Sequence, residues 1–347
     1  MEERKRARLI YNPVSGQEMM KKHIPEVLDV LEEYGYETST FQTKLEKDSA
    51  KNEARRAALS GFDLIIAAGG DGTINEVVNG IAPLDKRPRM AIIPTGTTND
   101  YARALKIPRG NPVEAAKVIG KQQTILMDIG LAKNIKDGQR KQHYFINIAA
   151  AGTLTELTYS VPSSLKTMFG YLAYVVKGAE LLPQVQFTPV RVEHDEGIFE
   201  GLVSMIFVAL TNSVGGFEQI VPDAKLDDGY FTLIMVKTDN LFEILHLIRL
   251  IIEGGKHIES DKIEYIKTRR MYLESKDKED KRMLLNLDGE YGGDVPVELL
   301  NLPNHIEFFA DTDLVDDEAI TLDTDEIERA SMKRRFIEES AQLEDTI

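Results

Sequence analysis

The sequence predicts an α/β domain with a parallel sheet, followed by a second, mainly antiparallel β domain. Over the first 110 residues, short apolar segments alternate with segments of helical periodicity. From about residue 125, β-type segments separated by Gly- or Asp-containing turns take over. Strands that alternate with helices are typical of a parallel sheet covered by helices. The length of 347 residues also favours two domains.

Each element of the first domain is predicted from its apolar pattern and its flanking turn residues. The predicted strands are Ala7–Tyr11, Glu37–Thr43, Leu64–Ala68 and Met90–Pro94. The predicted helices are Met19–Tyr34, Ser49–Leu59, Ile74–Ile81 and Tyr101–Leu105.

The second domain is predicted to consist mostly of strands with one substantial helix, Ser164–Leu182. The predicted strands are Tyr144–Ala149, Val190–His194, Ile198–Ala209, Tyr230–Val236, Lys262–Leu273 and Met283–Leu287. A further strand, His305–Ala310, is expected to return to the first domain. Leu241–Ile252 has charged residues at intervals that suit an amphipathic helix rather than a membrane span.

The segment Ala67–Glu76 is the most informative stretch of the chain, because it contains three glycines between a strand and a helix. That arrangement brings backbone N–H groups and a helix N-terminus close to a phosphate. The carboxylate of Asp71 would repel a phosphate unless a metal ion or water lay between them. The segment therefore favours a nucleotide site with a divalent cation, and an ordinary glycine turn is the alternative. Thr73 and Asn75 stand where the Walker and dinucleotide patterns need other residues.

Three loops of small polar residues follow predicted parallel strands, so we expect them to meet at one sheet edge. They are Asn12–Gly16, the glycine loop and Pro94–Asp100, and Thr43 ends the remaining strand at the same edge. Each loop alone could be a turn or a helix cap. Their convergence favours a nucleotide site.

Two acidic turns lie in the second domain, Pro222–Gly229 and Leu287–Gly293. Asp-Gly is a common hairpin signal, so a turn without chemistry is the alternative for each. Phosphoryl transfer to an alcohol needs positioned Mg²⁺ and a carboxylate that accepts the hydroxyl proton. A catalytic cleft between the domains would bring these turns to the nucleotide.

Composition excludes several classes of protein. The chain has no Cys, which excludes disulfides and thiolate metal sites and fits a reducing cytosol. The six histidines have no metal-ligand spacing, and no signal peptide is visible. The net charge is −15, and residues 311–347 hold thirteen acidic against four basic residues. We interpret that tail as a solvated appendage. The excess of acidic over basic residues in the whole chain argues against nucleic acid as a partner.

The chain resembles the bacterial soluble diacylglycerol kinases, which are related to sphingosine kinases and more distantly to NAD kinases. The likeness covers about residues 5–313. Its most specific parts are Gly69–Glu76, Pro94–Asp100, Asp223–Gly229 and Asp288–Glu290. It implies an NAD-kinase/phosphofructokinase-like first domain and a β-sandwich second domain. The implied division is a nucleotide-binding domain of residues 1–126 rejoined by about 304–313, a lipid-substrate domain of residues 127–303, and the acidic tail 314–347.

The resemblance implies transfer of phosphate from ATP to 1,2-diacyl-sn-glycerol, which yields phosphatidic acid. It implies that Glu290 or Asp288 accepts the proton, Glu290 being favoured for its longer side chain. Asp71 would link the catalytic Mg²⁺ through water. A metal site is implied at the Asp228 carboxylate and the main-chain oxygens of Lys225 and Tyr230. The implied ATP-binding residues are Asn12, Pro13, Val14, Ser15, Gly16, Thr43, Gly70, Asp71, Gly72, Thr73, Ile74, Asn75, Glu76 and Thr97.

Diacylglycerol stays in the bilayer, so the resemblance implies a cytoplasmic protein that docks on the inner membrane face. Arg103 and Lys166 are the candidate lipid or membrane contacts, and the Ser164–Leu182 helix is either the lining of a lipid cleft or ordinary core. A homodimer is a further expectation from the family. Three alternatives stay open: a kinase of another lipid alcohol such as a sphingoid base or monoacylglycerol, an NAD kinase, and a non-catalytic lipid-binding regulator.

Overall fold

A computed structural model of the chain describes residues 4–16, 18–136, 139–152, 187–212, 220–252, 254–277, 282–315 and 319–320. The helices are α1 Met19–Glu33, α2 Ser49–Leu59, α3 Asp71–Ile81, α4 Asp100–Ala104, α5 Pro112–Lys117 and α6 Leu241–Ile252. Short 3₁₀ helices span Val118–Lys121 and Lys256–Glu259. In the described residues, no helix is both long and apolar enough to cross a bilayer.

The strands of the first half are β1 Lys5–Tyr11, β2 Tyr36–Gln42, β3 Leu64–Gly69, β4 Arg89–Pro94, β5 Thr124–Lys136, β6 Gln139–Phe145 and β7 Ile148–Gly152. The remaining strands are β8 Thr188–His194, β9 Gly197–Val203, β10 Met205–Ala209, β11 Phe231–Val236, β12 Ile263–Thr268, β13 Arg270–Ser275, β14 Leu284–Leu287, β15 Glu290–Asp294 and β16 Val297–Phe309.

A large sheet runs through both halves of the chain in the order β2-β1-β3-β4-β16-β13-β8-β9, and β5 bridges β16 and β6. Strands β1 to β4 are parallel, as the alternation of strand and helix predicts. β16 lies parallel to β4, so the chain returns after the second half to the sheet of the first four strands. α2 and α3 pack beside this sheet with alanines and aliphatic side chains buried in one core.

A second, wholly antiparallel sheet has the order β12-β11-β10-β7-β14-β15. Apolar side chains from both sheets meet in one buried cluster, among them Val192 and Leu233. This is the sandwich predicted for the second half of the chain. α6 covers the outer face of the second sheet with Ile244 and Leu247.

Three predicted strands are wrong in the same way, because each is two strands in the structure. Tyr144–Ala149 divides between β6 and β7, Ile198–Ala209 between β9 and β10, and Lys262–Leu273 between β12 and β13. At each break the chain leaves one sheet and enters the other. Both strands of a pair bury side chains in the same core, so the apolar pattern hardly changes at the crossing.

Other parts of the chain also differ from the sequence-based elements. β5, β15 and α5 are not among the predicted elements, and β16 begins eight residues before the predicted return strand. The predicted domain boundaries at 126 and 303 fall inside β5 and β16, and the division into domains stays a proposal. The Ser164–Leu182 helix and nearly all of the acidic tail lie outside the described residues.

Candidate active site

Three loops meet at the carboxyl edge of the parallel strands, as predicted. The Ser15 hydroxyl donates a hydrogen bond of 3.0 Å to the Thr95 carbonyl oxygen. Gly70 and Gly96 approach so closely that a Cβ atom on Gly96 would lie 2.5 Å from the Gly70 Cα. Only glycine fits this contact between the second and third loops.

We expect Gly96→Ala to lower the free energy of unfolding by about 1–3 kcal/mol, because its methyl group would force the two loops apart. Gly72→Ala is the matched control, since a Cβ there meets no atom closer than 4.0 Å. Thermal unfolding of both variants measures the difference. Equal stability of the two variants would contradict the close contact.

Asp71 opens α3, with Gly70 as the N-terminal cap in extended conformation. Its Oδ2 atom accepts hydrogen bonds from the Thr98 hydroxyl at 2.7 Å and from the Asn99 backbone N–H at 3.0 Å. Its Oδ1 atom is buried and has no hydrogen-bond partner in the described structure. A buried carboxylate oxygen without a donor has the chemistry of a group that faces a cation or a water bound to one.

Two adjoining cavities extend from the glycine loop, and Asn12, Gly72 and Thr73 line both of them. The cavity that Ser15 and Thr97 line, which we call the nucleotide-loop cavity, has a volume of about 460 Å³. The cavity that Thr43 and Glu290 line, which we call the interdomain cavity, has a volume of about 510 Å³. Of the predicted ATP-binding residues, Val14, Ser15, Gly16, Gly70 and Thr97 line the first cavity, and Thr43, Asn75 and Glu76 line the second. Glu290 contributes to the interdomain cavity from the second half of the chain.

The remaining predicted ATP-binding residues are placed differently. Pro13 and Asp71 are not among the residues that line either cavity. The Ile74 side chain is fully buried in the core of the first half. Glu76, although it lines the interdomain cavity, accepts a 2.9 Å hydrogen bond from the Ala50 backbone N–H, so its carboxylate holds the first turn of α2.

Asp288 and Gly289 form the tight turn between β14 and β15, with φ of 50° and 92°. Positive φ at both positions is typical of the hairpin turn that Asp-Gly predicts. The turn sets Glu290 at the start of β15 with an exposed side chain. Its Oε1 atom lies 4.0 Å from the position that a Cβ on Gly72 would take. Glu290 therefore faces the glycine loop across the cleft.

The Asp288 carboxylate lies in a different environment, because four N–H groups donate to it. The backbone N–H of Ile146 and the Asn75 amide each donate to Oδ2 at 2.8 Å. The backbone N–H groups of Asn147 and Ile148 each donate to Oδ1 at 2.9 Å. Burial raises the pKa of Asp288, and these donors oppose the shift. The three backbone donors come from the crossing between β6 and β7, so Asp288 holds that crossing and α3 together.

Asn79 is a further residue of the cleft that the predicted site lacks. Its buried amide donates to the Tyr144 carbonyl oxygen at 2.8 Å and accepts from the Tyr144 backbone N–H at 2.9 Å. These bonds tie α3 to β6. The signal in the sequence is the pair of asparagines four residues apart on one face of α3.

The second acidic turn surrounds Asp228, whose Oδ1 accepts from the Tyr230 backbone N–H at 2.9 Å. The Lys267 ammonium nitrogen lies 3.8 Å from its Oδ2. Burial raises the pKa of Asp228, and the Tyr230 N–H and the lysines act in the opposite direction. In the described part of the chain, His, Asp and Glu side chains form no group of three suited to a metal. A cation here would depend on Asp228 and on main-chain oxygens.

Asp128, which the predicted site also lacks, anchors this turn from β5. It accepts from the backbone N–H of Gly229 at 2.6 Å and of Asn304 at 2.8 Å. Burial raises the pKa of Asp128 to about 6. A lone carboxylate inside the apolar segment 125–132 is the signal that could have identified it. Of the predicted lipid contacts, Arg103 donates to the Thr98 carbonyl oxygen at 3.2 Å, and Lys166 lies outside the described residues.

Comparisons with known proteins show the family of the chain. Residues 6–132 match the family described as the diacylglycerol kinase catalytic domain. Residues 151–310 match the family described as the YegS C-terminal NAD kinase beta sandwich-like domain. The chain is similar to a diacylglycerol kinase of Bacillus subtilis (strain 168), with 52% identity over 87% of this chain and 95% of that protein. It is 47% identical to a diacylglycerol kinase of Staphylococcus aureus (strain Newman), over 92% and 97% of the two chains.

Solved structures support the fold. A diacylglycerol kinase from Bacillus anthracis str. Sterne has a TM-score of 0.67 at 24% identity, covering 91% of this chain and all of the other. Yeast NADH kinase, solved in complex with NADH, has a TM-score of 0.51 at 12% identity, covering 90% and 86% of the two chains. With half of its residues shared with curated relatives over nearly their whole length, the chain belongs to the diacylglycerol kinase family and is a lipid kinase.

Proposed function

We propose that the protein transfers the γ-phosphoryl group of ATP to 1,2-diacyl-sn-glycerol, with Glu290 as the general base. The observation that supports this most directly is the position of the Glu290 carboxylate, which faces Gly72 across the cleft. The glycine loop and the N-terminus of α3 suit the phosphates of a nucleotide. A carboxylate at that point is suited to an acceptor hydroxyl beside the γ-phosphate.

In the proposed reaction, Glu290 accepts the proton of the lipid hydroxyl as its oxygen forms a bond to the γ-phosphorus. The bond between that phosphorus and the β,γ-bridging oxygen breaks, so phosphatidic acid and ADP are released. Asp288 serves as a positioning residue in this proposal, because its carboxylate oxygens are already engaged by four N–H donors. It fixes the hairpin that carries Glu290.

We propose that the ion is Mg²⁺, and two features of the described residues support it. The unpartnered Oδ1 atom of Asp71 is suited to a metal-bound water, and Asp228 with the main-chain oxygens of Lys225 and Tyr230 offers a second, structural position. Bound Mg²⁺ would neutralise charge on the transferred phosphoryl group. Asp71 itself orients the third loop through Thr98 and Asn99.

The proposed acceptor is a bilayer lipid, so we also propose that the protein works at the inner membrane face as a peripheral, cytoplasmic enzyme. The names of its curated relatives support diacylglycerol as the acceptor. A homodimer remains a proposal drawn from the family. The test is phosphate transfer from γ-labelled ATP to diacylglycerol in mixed micelles with Mg²⁺, with sphingosine, monoacylglycerol and NAD in parallel. Label in phosphatidic acid alone supports the proposal, whereas label in another acceptor overturns the proposed substrate.

We expect Asp71→Asn to lower kcat at least about 100-fold while the fold is retained. The asparagine oxygen can still accept from Thr98 and Asn99, so the change falls on the unpartnered Oδ1 position. Asp85→Asn, at an exposed position, is the matched control. Undiminished turnover in Asp71→Asn, measured in the micelle assay, would contradict the proposed role of Asp71.

A further inference from the structure

The acidic turn Pro222–Gly229 is anchored by one apolar side chain, that of Leu226. This side chain is buried in the hydrophobic core of the first half, although the turn leads into β11 of the second sheet. Ala319 and Ile320, which follow the large sheet in the chain, pack against the same core. The turn that carries Asp228 therefore extends from the second half of the chain into the core of the first.

Hydrogen bonds engage both backbone groups of Leu226, with partners far apart in the sequence. Its N–H donates to the Ala319 carbonyl oxygen at 2.8 Å, and its carbonyl oxygen accepts from the Asp128 backbone N–H at 2.8 Å. The Asp128 carboxylate in turn accepts from the Gly229 backbone N–H at 2.6 Å. The later residues of the turn are thus held between β5 and the segment 319–320.

The start of the same turn is held separately, by side chains of β12. The Lys267 ammonium group donates to the Asp223 carbonyl oxygen at 2.8 Å, and the Tyr265 hydroxyl donates to the Asp223 carboxylate. These contacts come from the second sheet and do not involve the segment 319–320. Displacement of that segment should therefore change the later residues of the turn and leave its attachment to β12 in place.

The contact with Ala319 bears directly on the groups that would hold the second cation of the proposed function. Lys225, Asp228 and Tyr230 line one small cavity. The Lys225 carbonyl and the Leu226 N–H belong to the same planar trans peptide group, in which the C=O and N–H bonds point in opposite directions. A hydrogen bond at the N–H therefore fixes the direction of the carbonyl oxygen and increases its negative charge. Cation sites depend on such directions, because each oxygen must approach the ion within a narrow range of distance.

We propose that the Ala319 carbonyl, through the Leu226 N–H, orients the Lys225 carbonyl oxygen, so that the segment 319–320 sets the affinity of the acidic turn for a divalent cation. Ala319 is a positioning residue in this arrangement, since it acts on the cation site through the Lys225–Leu226 peptide group. The inference rests on the proposed function, because the cation at Asp228 is part of that proposal.

The test is Mn²⁺ binding to the full-length protein without nucleotide, followed by electron paramagnetic resonance of the free ion. Mn²⁺ prefers the same oxygen ligands as Mg²⁺. In the wild type we expect a site that Asp228→Asn removes. Ile320→Asp places a carboxylate against the apolar core, so the segment should leave Leu226. The Mn²⁺ affinity of that site should then fall about tenfold, comparable with the loss of one hydrogen bond. The milder Ile320→Ala should lower it by a smaller factor with the fold retained.

The matched control is Leu314→Asp, which adds the same charge at an exposed side chain of the same segment of the chain. It should keep the affinity of the wild type, and an equal fall in this variant would overturn the inference. In the Asp228→Asn background, Ile320→Asp should leave the remaining Mn²⁺ binding unchanged. Wild-type affinity in both Ile320 variants would overturn the inference while the cation site stands. If no site depended on Asp228, the proposed cation site itself would be wrong, and the inference with it.

Discussion

Glu290→Gln is expected to lower kcat for phosphate transfer by about 10²–10⁴-fold, the usual effect of removing a general base. The side chain is exposed at the start of β15 and keeps its size in the variant, so stability and ADP affinity should stay close to those of the wild type. The measurement is steady-state transfer to diacylglycerol in micelles, combined with calorimetric titration of ADP.

The control for this variant is Glu196→Gln, which changes an exposed glutamate in the turn between β8 and β9. Its kcat should equal that of the wild type. Near-normal kcat in Glu290→Gln would contradict the assignment of the base. Loss of ADP binding in that variant would instead assign Glu290 to nucleotide binding.

Asp288→Asn is expected to lower both the stability of the protein and its kcat for phosphate transfer. The native carboxylate accepts four N–H groups, whereas an asparagine presents one oxygen and directs its own N–H₂ group toward backbone donors. Loss of these bonds should lower the free energy of unfolding by about 2–4 kcal/mol. A fall of the thermal midpoint by roughly 5–10 °C would follow. The hairpin would shift, so kcat should fall along with the midpoint.

This variant separates the two roles that the sequence leaves open for the Asp288/Glu290 pair. A positioning residue loses stability and activity together, and Asp85→Asn should change neither. If Asp288→Asn kept the wild-type thermal midpoint but lost turnover, Asp288 would act chemically and the assignment of Glu290 as the sole base would be wrong.

The sequence was sufficient for the parallel half of the fold because every strand there is followed by its own helix. Each change of periodicity from two to 3.6 marks a boundary, and α2 begins and ends at the predicted residues. The sandwich half lacks such markers. Where β9 becomes β10 at Ser204, the chain passes from one sheet to the other. β9 pairs with the adjoining strand β8, whereas β10 pairs with β7, which lies far away in the sequence, and only that distant pairing determines the break.

The loops of the site were predictable because small polar residues after parallel strands meet at one edge. The separate roles of the neighbouring carboxylates could not be predicted from the sequence. Asp288 and Glu290 are equivalent by residue type, and only the crossing at Ile146–Ile148 shows that one of them is engaged by backbone donors. Asp128 was not among the predicted site residues for a similar reason, since its partners Gly229 and Asn304 lie about 100 and 176 residues away in the chain.

The place of β16 in the large sheet affects how the protein reaches its native state. This strand lies between β4 and β13, although it is the last strand among the described residues. During synthesis, β4 emerges long before its neighbour, so its edge can offer unpaired backbone N–H and C=O groups until residue 309 has been made. We therefore expect the half that carries the glycine loop to complete its sheet only after the strands of the second half have been made.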